Sequence, residues 1–100
     1  MALKHVTDQS AVRQAVAEYE LGQAEFLDKY GFGKARDYFL IHDGKVHDSK
    51  AIVGAAHGFQ HGRPLRSGDF SGGANTVALR LRALGFDVRG PDSTAGATAR

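Results

Sequence analysis

At 100 residues, 42% of them apolar and 24% charged, the chain is sized for one domain with its own core, which excludes pervasive disorder and a second domain. It has no cysteine, no apolar run near the roughly 20 residues of a membrane span, and no signal-peptide core at its amino terminus. Disulfides and thiolate zinc sites are thereby excluded, and a soluble cytoplasmic domain is expected. The net charge of +2 is unevenly spread: Met1–Asp28 holds Lys4 and Arg13 against five acids, whereas Lys29–Arg100 holds eleven cations against six acids. A basic body behind an acidic leading segment suits an anionic partner such as nucleic acid, and an ordinary solvated surface accounts for it equally well.

Thr7 or Asp8 is placed to cap a helix from about Gln9 to Leu21, in which Val12, Ala15, Val16 and Tyr19 form one apolar face. Gly22 interrupts it, and a shorter helix from about Gln23 to Tyr30 stops at Gly31-Phe32-Gly33; Phe26, Leu27 and Tyr30 read as core. Tyr38-Phe39-Leu40-Ile41 reads as a strand, Asp43-Gly44 as a two-residue hairpin turn, and Lys45-Val46-His47 as the returning strand. Asp48 or Ser49 then caps a helix from about Lys50 to Phe59, with Ile52, Val53, Ala56 and Phe59 at core spacing. Gly62–Asp69 is a connecting loop holding Arg63, Pro64 and Arg66. Ser71 caps a last helix, about Gly73 to Leu84, with Val77, Leu81 and Leu84 inward; Gly85 ends it, and Phe86-Asp87-Val88 reads as a short strand. Pro91–Arg100 lacks large apolar residues and is expected to be a linker or a ragged end following a domain of residues 1–90. The expected fold is α+β, order α-α-β-β-α-α-β, with about four helices on a small sheet of about three strands.

Three groups of residues invite chemistry. Asp48-Ser49-Lys50, with Asp37 upstream, imitates the PD-(D/E)xK nuclease pattern, in which two carboxylates hold Mg²⁺ and a lysine orients the attacking water. Helix capping by Asp48 and Ser49, with Lys50 exposed on the first turn, explains the same residues more simply. Phe70-Ser71-Gly72-Gly73 opens a helix with two glycines, an arrangement suited to an oxyanion and equally to a tight turn; it matches neither a dinucleotide fingerprint nor a P-loop. His57 and His61 stand at i, i+4, but no Glu accompanies them in the zincin manner, so no metal is expected, and His57 reads as core or as a polar contact. With no Gly-x-Ser-x-Gly elbow and no cysteine nucleophile, neither a familiar hydrolase nor a cofactor is supported.

Together, Tyr30-Gly31-Phe32-Gly33, Arg36-Asp37-Tyr38, Asp48-Ser49-Lys50-Ala51-Ile52, Ala56-His57, Asp69-Phe70-Ser71-Gly72-Gly73 and Leu84-Gly85-Phe86 resemble the N-terminal head domain of ScoMcrA-like proteins, over about Gln9 to Val88. The resemblance implies a place in actinobacterial McrA-type HNH restriction endonucleases, which attack methylated or phosphorothioated DNA. There the head precedes SRA-type and sulfur-binding domains and a C-terminal HNH nuclease. No His-Asn-His site lies in this chain, so cleavage does not carry over. The resemblance implies a non-catalytic accessory head of a type IV enzyme, with duplex DNA and the downstream domains as partners. A dimerisation or docking role without DNA contact, and a small Mg²⁺ nuclease, are the alternatives.

The expected DNA contacts are Arg36, Tyr38, Lys45, Ser49, Lys50, Arg66, Ser71, Gly72, Gly73 and Arg80, most of them to phosphates. Tyr38 is the exception, with stacking on a base or sugar as its contact, although a strand tyrosine is more often core. Arg80 and Arg82, two apart on a helix, point different ways, and Arg80 is the preferred contact.

Overall fold

A helix that is apolar on every side has to be wrapped by the rest of its domain. In the computed structural model, which describes residues 6–33, 38–66 and 74–90, that helix is Ser49–His61, and every residue from Ala51 to His57 is buried. Helix α1 (Gln9–Leu21) packs most extensively on it, through Ala11, Val12, Ala15, Val16 and Tyr19. Asp8 caps α1, its carboxylate accepting from Ser10 N–H at 2.8 Å. After the break at Gly22, α2 (Gln23–Tyr30) buries Phe26 and Leu27 and ends at Gly31, whose φ of 78° is left-handed backbone that glycine adopts without strain.

Strands β1 (Phe39–His42), β2 (Lys45–Asp48) and β3 (Asp87–Arg89) form an antiparallel sheet ordered β2-β1-β3. The β1–β2 turn has φ of 53° at Asp43 and 75° at Gly44, the doubly left-handed form that Asp-Gly favours. Register sets Leu40 opposite both His47 and Val88, and these three buried residues make the face turned to the helices. Helix α3 is the central Ser49–His61 helix, and α4 (Ala74–Ala83) buries Val77, Ala78 and Leu81 against the core. The order α-α-β-β-α-α-β and the three strands are those expected. Phe59 is the exception: assigned to the core by spacing, it is 43% exposed. The stretch expected to be a helix entry at Ser71–Gly73 and the tail 91–100 lie outside the described residues.

Beyond α3 the chain turns at Gly62 and runs back along the helix. Leu65 N–H donates to Gly54 O at 3.0 Å, and Leu65 is buried. Gly54 and Gly58 make this approach possible. A Cβ at Gly54 would lie 2.7 Å from Leu65 O and 2.7 Å from the Phe32 ring, and one at Gly58 would lie 3.1 Å from Pro64. His57 Nδ1–H donates to Arg63 O and ties down the start of the returning segment.

A polar belt joins the hairpin to α1 and α2. Buried His47 sets Nε2 2.8 Å from Glu20 Oε2 and Nδ1 3.2 Å from Leu40 O; both partners are acceptors, so the ring donates from both nitrogens when both bonds are made. That hydrogen bond from His47, together with the Lys45 and His47 charges, holds Glu20 below the usual carboxylate range. Gln23 Nε2 donates to Asp48 at 3.0 Å. Burial, and next the Asp48 charge, push the Tyr19 hydroxyl up to about 12.

Gly54→Ala is expected to destabilise the fold. The helix-propensity gain of about 1 kcal/mol is outweighed by overpacking of about 1–3 kcal/mol or more against a backbone carbonyl and a ring that cannot swing away. Equal or higher stability in urea unfolding would contradict this account of the loop. Tyr19 contributes stability that is complete below its unfolded value near 10 and is lost as pH rises toward about 12. In Tyr19→Phe the stability–pH curve between 10 and 12 should flatten, the remaining slope coming from Tyr30, whose hydroxyl burial and Glu18 also raise.

Candidate nucleic-acid interface

The sequence-expected contacts fall into different settings. Arg36, Ser71, Gly72 and Gly73 lie outside the described residues. Ser49 is 1% exposed and its hydroxyl donates to Tyr38 O at 2.9 Å, so it fastens α3 to the strand entry rather than facing a ligand. Tyr38 is half-buried and packs against the core. Lys45 is exposed, with Nζ 3.7 Å from Glu20. Lys50 is half-buried on the first turn of α3, and Arg80 half-buried on α4. Arg82 is internal, donating to Val88 O at 2.7 Å. Arg66 is exposed, and its guanidinium passes beside Gly31, within 3.4 Å of where a Cβ would stand.

Asp48 occupies the N-cap position of α3, yet its carboxylate makes no capping bond. The expected side-chain cap is corrected here, because Gln23 and Tyr19 engage the carboxylate on the opposite side. At 4% exposure it is enclosed, and its proposed partner Asp37 lies outside the described residues. Among the described residues no group of three or more His, Asp or Glu side chains could hold a metal ion. His57 and His61 rings are 4.8 Å apart, and the former braces Arg63 O.

The returning loop carries Arg66 toward the half of α3 that begins with Lys50. Gly54 is one turn after Lys50 on the same side of α3, and the returning loop meets the helix there. Arg66 therefore comes to lie within about one further residue of that meeting point, beside Gly31 at the end of α2. Next to it a cavity of about 270 Å³ is lined by Lys29, Tyr30, Ala55, Gly58, Phe59 and Pro64. Tyr30 is held rigidly, its ring 4.8 Å from Phe26 and its hydroxyl donating to Glu18 at 2.7 Å. Lys29 Nζ lies 2.6 Å from Glu18 and 5.1 Å from the Tyr30 ring centroid. Burial alone would raise Glu18, but hydrogen bonds from Lys29 and Tyr30 outweigh it and hold the carboxylate low, while the bond to Glu18 raises Lys29.

Sequence reasoning missed this cavity. Helical spacing turns both Tyr30 and Phe59 inward; Tyr30 does pack on the core while also lining the cavity, and nothing local announces that Pro64 closes on Gly58. The one available signal was the pair Gly54 and Gly58, four apart on an otherwise apolar helix, which marks a path for close backbone approach.

Among the described residues no helix is long and apolar enough to cross a membrane. No curated protein matches the chain. The solved structure of the type IV phosphorothioation-dependent restriction endonuclease ScoMcrA is 30% identical to it, covering 84% of this chain with a TM-score of 0.62. That match spans 13% of the enzyme's own length, so the chain corresponds to a small part of it. Residues 4–90 match the family described as ScoMcrA-like, N-terminal head domain, and the chain belongs to that family.

Proposed function

We propose that this chain is a non-catalytic, DNA-contacting head of a larger, cytoplasmic, type IV restriction endonuclease, gripping the duplex backbone and helping to position the parent enzyme. The observation that carries the reading is the return of the 62–66 loop onto Gly54, one turn from Lys50, with Arg66 next after Leu65 in a segment with a basic excess. Two cations on a firm backbone platform suit adjacent phosphates, because such contacts fix register and carry no sequence information. The likeness to a phosphorothioation-dependent enzyme supports DNA as the polyanion. Reading the modification and cutting the strand fall to other domains of the parent. Lys45 and Arg80, with Arg36 and the Ser71-Gly72-Gly73 entry, extend the proposed contact set. Ser49 is withdrawn from it by its burial, and Tyr38 is kept only as a neighbour.

A second reading, docking on the parent chain or on a second copy, is favoured by Leu21. It is 85% exposed and shares a surface recess with Phe26, Glu25 and the paired Glu18 and Lys29, a net acidic and apolar combination unfavourable to DNA. The two readings use opposite charges and are separable.

Binding to an unmodified duplex should be measurable at low salt and fall steeply as salt rises. Lys50→Glu and Arg66→Glu should each weaken it and lower the slope of log affinity against log salt by about 1. Leu21→Ser should leave DNA binding intact and reduce any self-association seen in sedimentation. Undetectable binding at low salt, or binding indifferent to both charge reversals, removes the DNA-contact reading.

A further inference from the structure

We infer that the cavity between α2, α3 and the returning loop is a seat for one unstacked nucleobase. This inference rests on the DNA-contact reading and adds to it a ligand class and a site. Three observations carry it. The first is composition: Tyr30 and Phe59 supply aromatic surface and Ala55, Gly58 and Pro64 an apolar lining, with Lys29 the one charged lining residue. Every base has an apolar π-face that stacks on such rings whatever its sequence. The second is size. At about 270 Å³ the cavity is just under the span of pockets for drug-sized molecules, about 300–1,000 Å³, which suits a single flat ring system rather than a larger ligand.

The third observation is electrostatic. Arg66 lies beside Gly31, next in sequence to Tyr30, and Arg63 is exposed immediately before Pro64. A base seated between Tyr30 and Phe59 therefore keeps its flanking phosphates among cations. Lys29, which also lines the cavity, is paired with Glu18, and Arg63 and Arg66 are assigned as phosphate partners by their position beside it. The seat is also preorganised: Phe26 and Glu18 fix Tyr30, Gly58 fixes Pro64, and His57 fixes Arg63 O. Little ordering then has to accompany binding. Phe59, at 43% exposure on a helix whose preceding turns are buried, gives the cavity an aromatic wall open to solvent.

The experiment compares two short duplexes of the same sequence, one fully paired and one carrying a single unpaired adenine, titrated with the whole 100-residue chain at low salt. The unpaired base should raise affinity roughly tenfold, within the range measured for base–aromatic stacking. Phe59→Ala should erase that preference and leave the paired duplex bound as before. Phe59→Trp, which restores ring area, should retain it. A preference that survives Phe59→Ala, as the greater bendability of a bulged duplex alone would give, overturns the seat. So does equal binding of both duplexes by the wild type, or loss of the preference in Phe59→Trp as well. Failure of either duplex to bind at all defeats the underlying DNA-contact reading, a result distinct from these.

Discussion

The close approach of backbone at Gly54 is the contact on which the functional surface depends. Leu65 O and the Phe32 ring both occupy the space where any other residue would carry a Cβ, so the returning loop and the end of α2 meet on one side of α3. A loop satisfies its buried polar groups only by finding partners, and Leu65 N–H and Gly54 O provide one pair across the seam. The consequence is positional. Segments 30–33 and 62–66, about thirty residues apart in sequence, become neighbours, and Arg66 lies against Gly31 instead of trailing into solvent. Without the two helical glycines, Pro64 and Arg66 would stand off from α3, and the cavity would open into ordinary surface.

The polar belt around the hairpin has a different task. A three-stranded sheet with short strands has little area to hold it to the helices, and here buried polar groups supplement apolar packing. His47 reaches from β2 to Glu20 on α1, and Asp48 to Gln23 on α2. In each, one partner is buried (His47, Asp48) and the other reaches solvent (Glu20, Gln23), so removing the outer partner leaves a buried polar group behind, whereas keeping both gains modest net stability. Their value lies in specifying where the hairpin sits. This also explains why Asp-Ser-Lys looks catalytic in sequence and acts structurally: the aspartate faces α2, the serine holds Tyr38 O, and only the lysine reaches toward the surface.

Much of the architecture was legible in the sequence because its punctuation is local. Gly31, Asp43-Gly44, Gly62 and Gly85 each end or turn an element through left-handed backbone that glycine, or Asp before glycine, adopts readily, and Gly22 stands at the break between α1 and α2. What was not legible depends on distance in sequence. Helical spacing assigns Phe59 inward along with Ile52 and Ala56, but Pro64 packs on the Gly58 flank and Phe59 is left at the rim. Ser49 and Asp48 read as caps from their position alone, and their side chains answered instead to Tyr38, Gln23 and Tyr19, which no local pattern reveals. Arg66 was picked for its charge, without any indication that it would lie against Gly31.

The charge layout bears on how such a head works. Its cations do not form an open field: Lys45 is near Glu20, Lys29 is joined to Glu18, and Arg82 is spent on Val88 O. The acids paired with Lys45 and Lys29 both lie on α1, so opposite charges meet along that helix. On the proposed DNA-contact reading, such pairing limits the number of phosphate contacts, and because the electrostatic part of affinity scales with that number, binding by the isolated head would be modest. Modest affinity would suffice if the parent carries other DNA-contacting domains, where effective concentration multiplies the separate affinities. It would also keep the parent from being held on unmodified DNA. A seat for an unstacked base fits the same logic, because it adds binding energy only where the helix has already been opened.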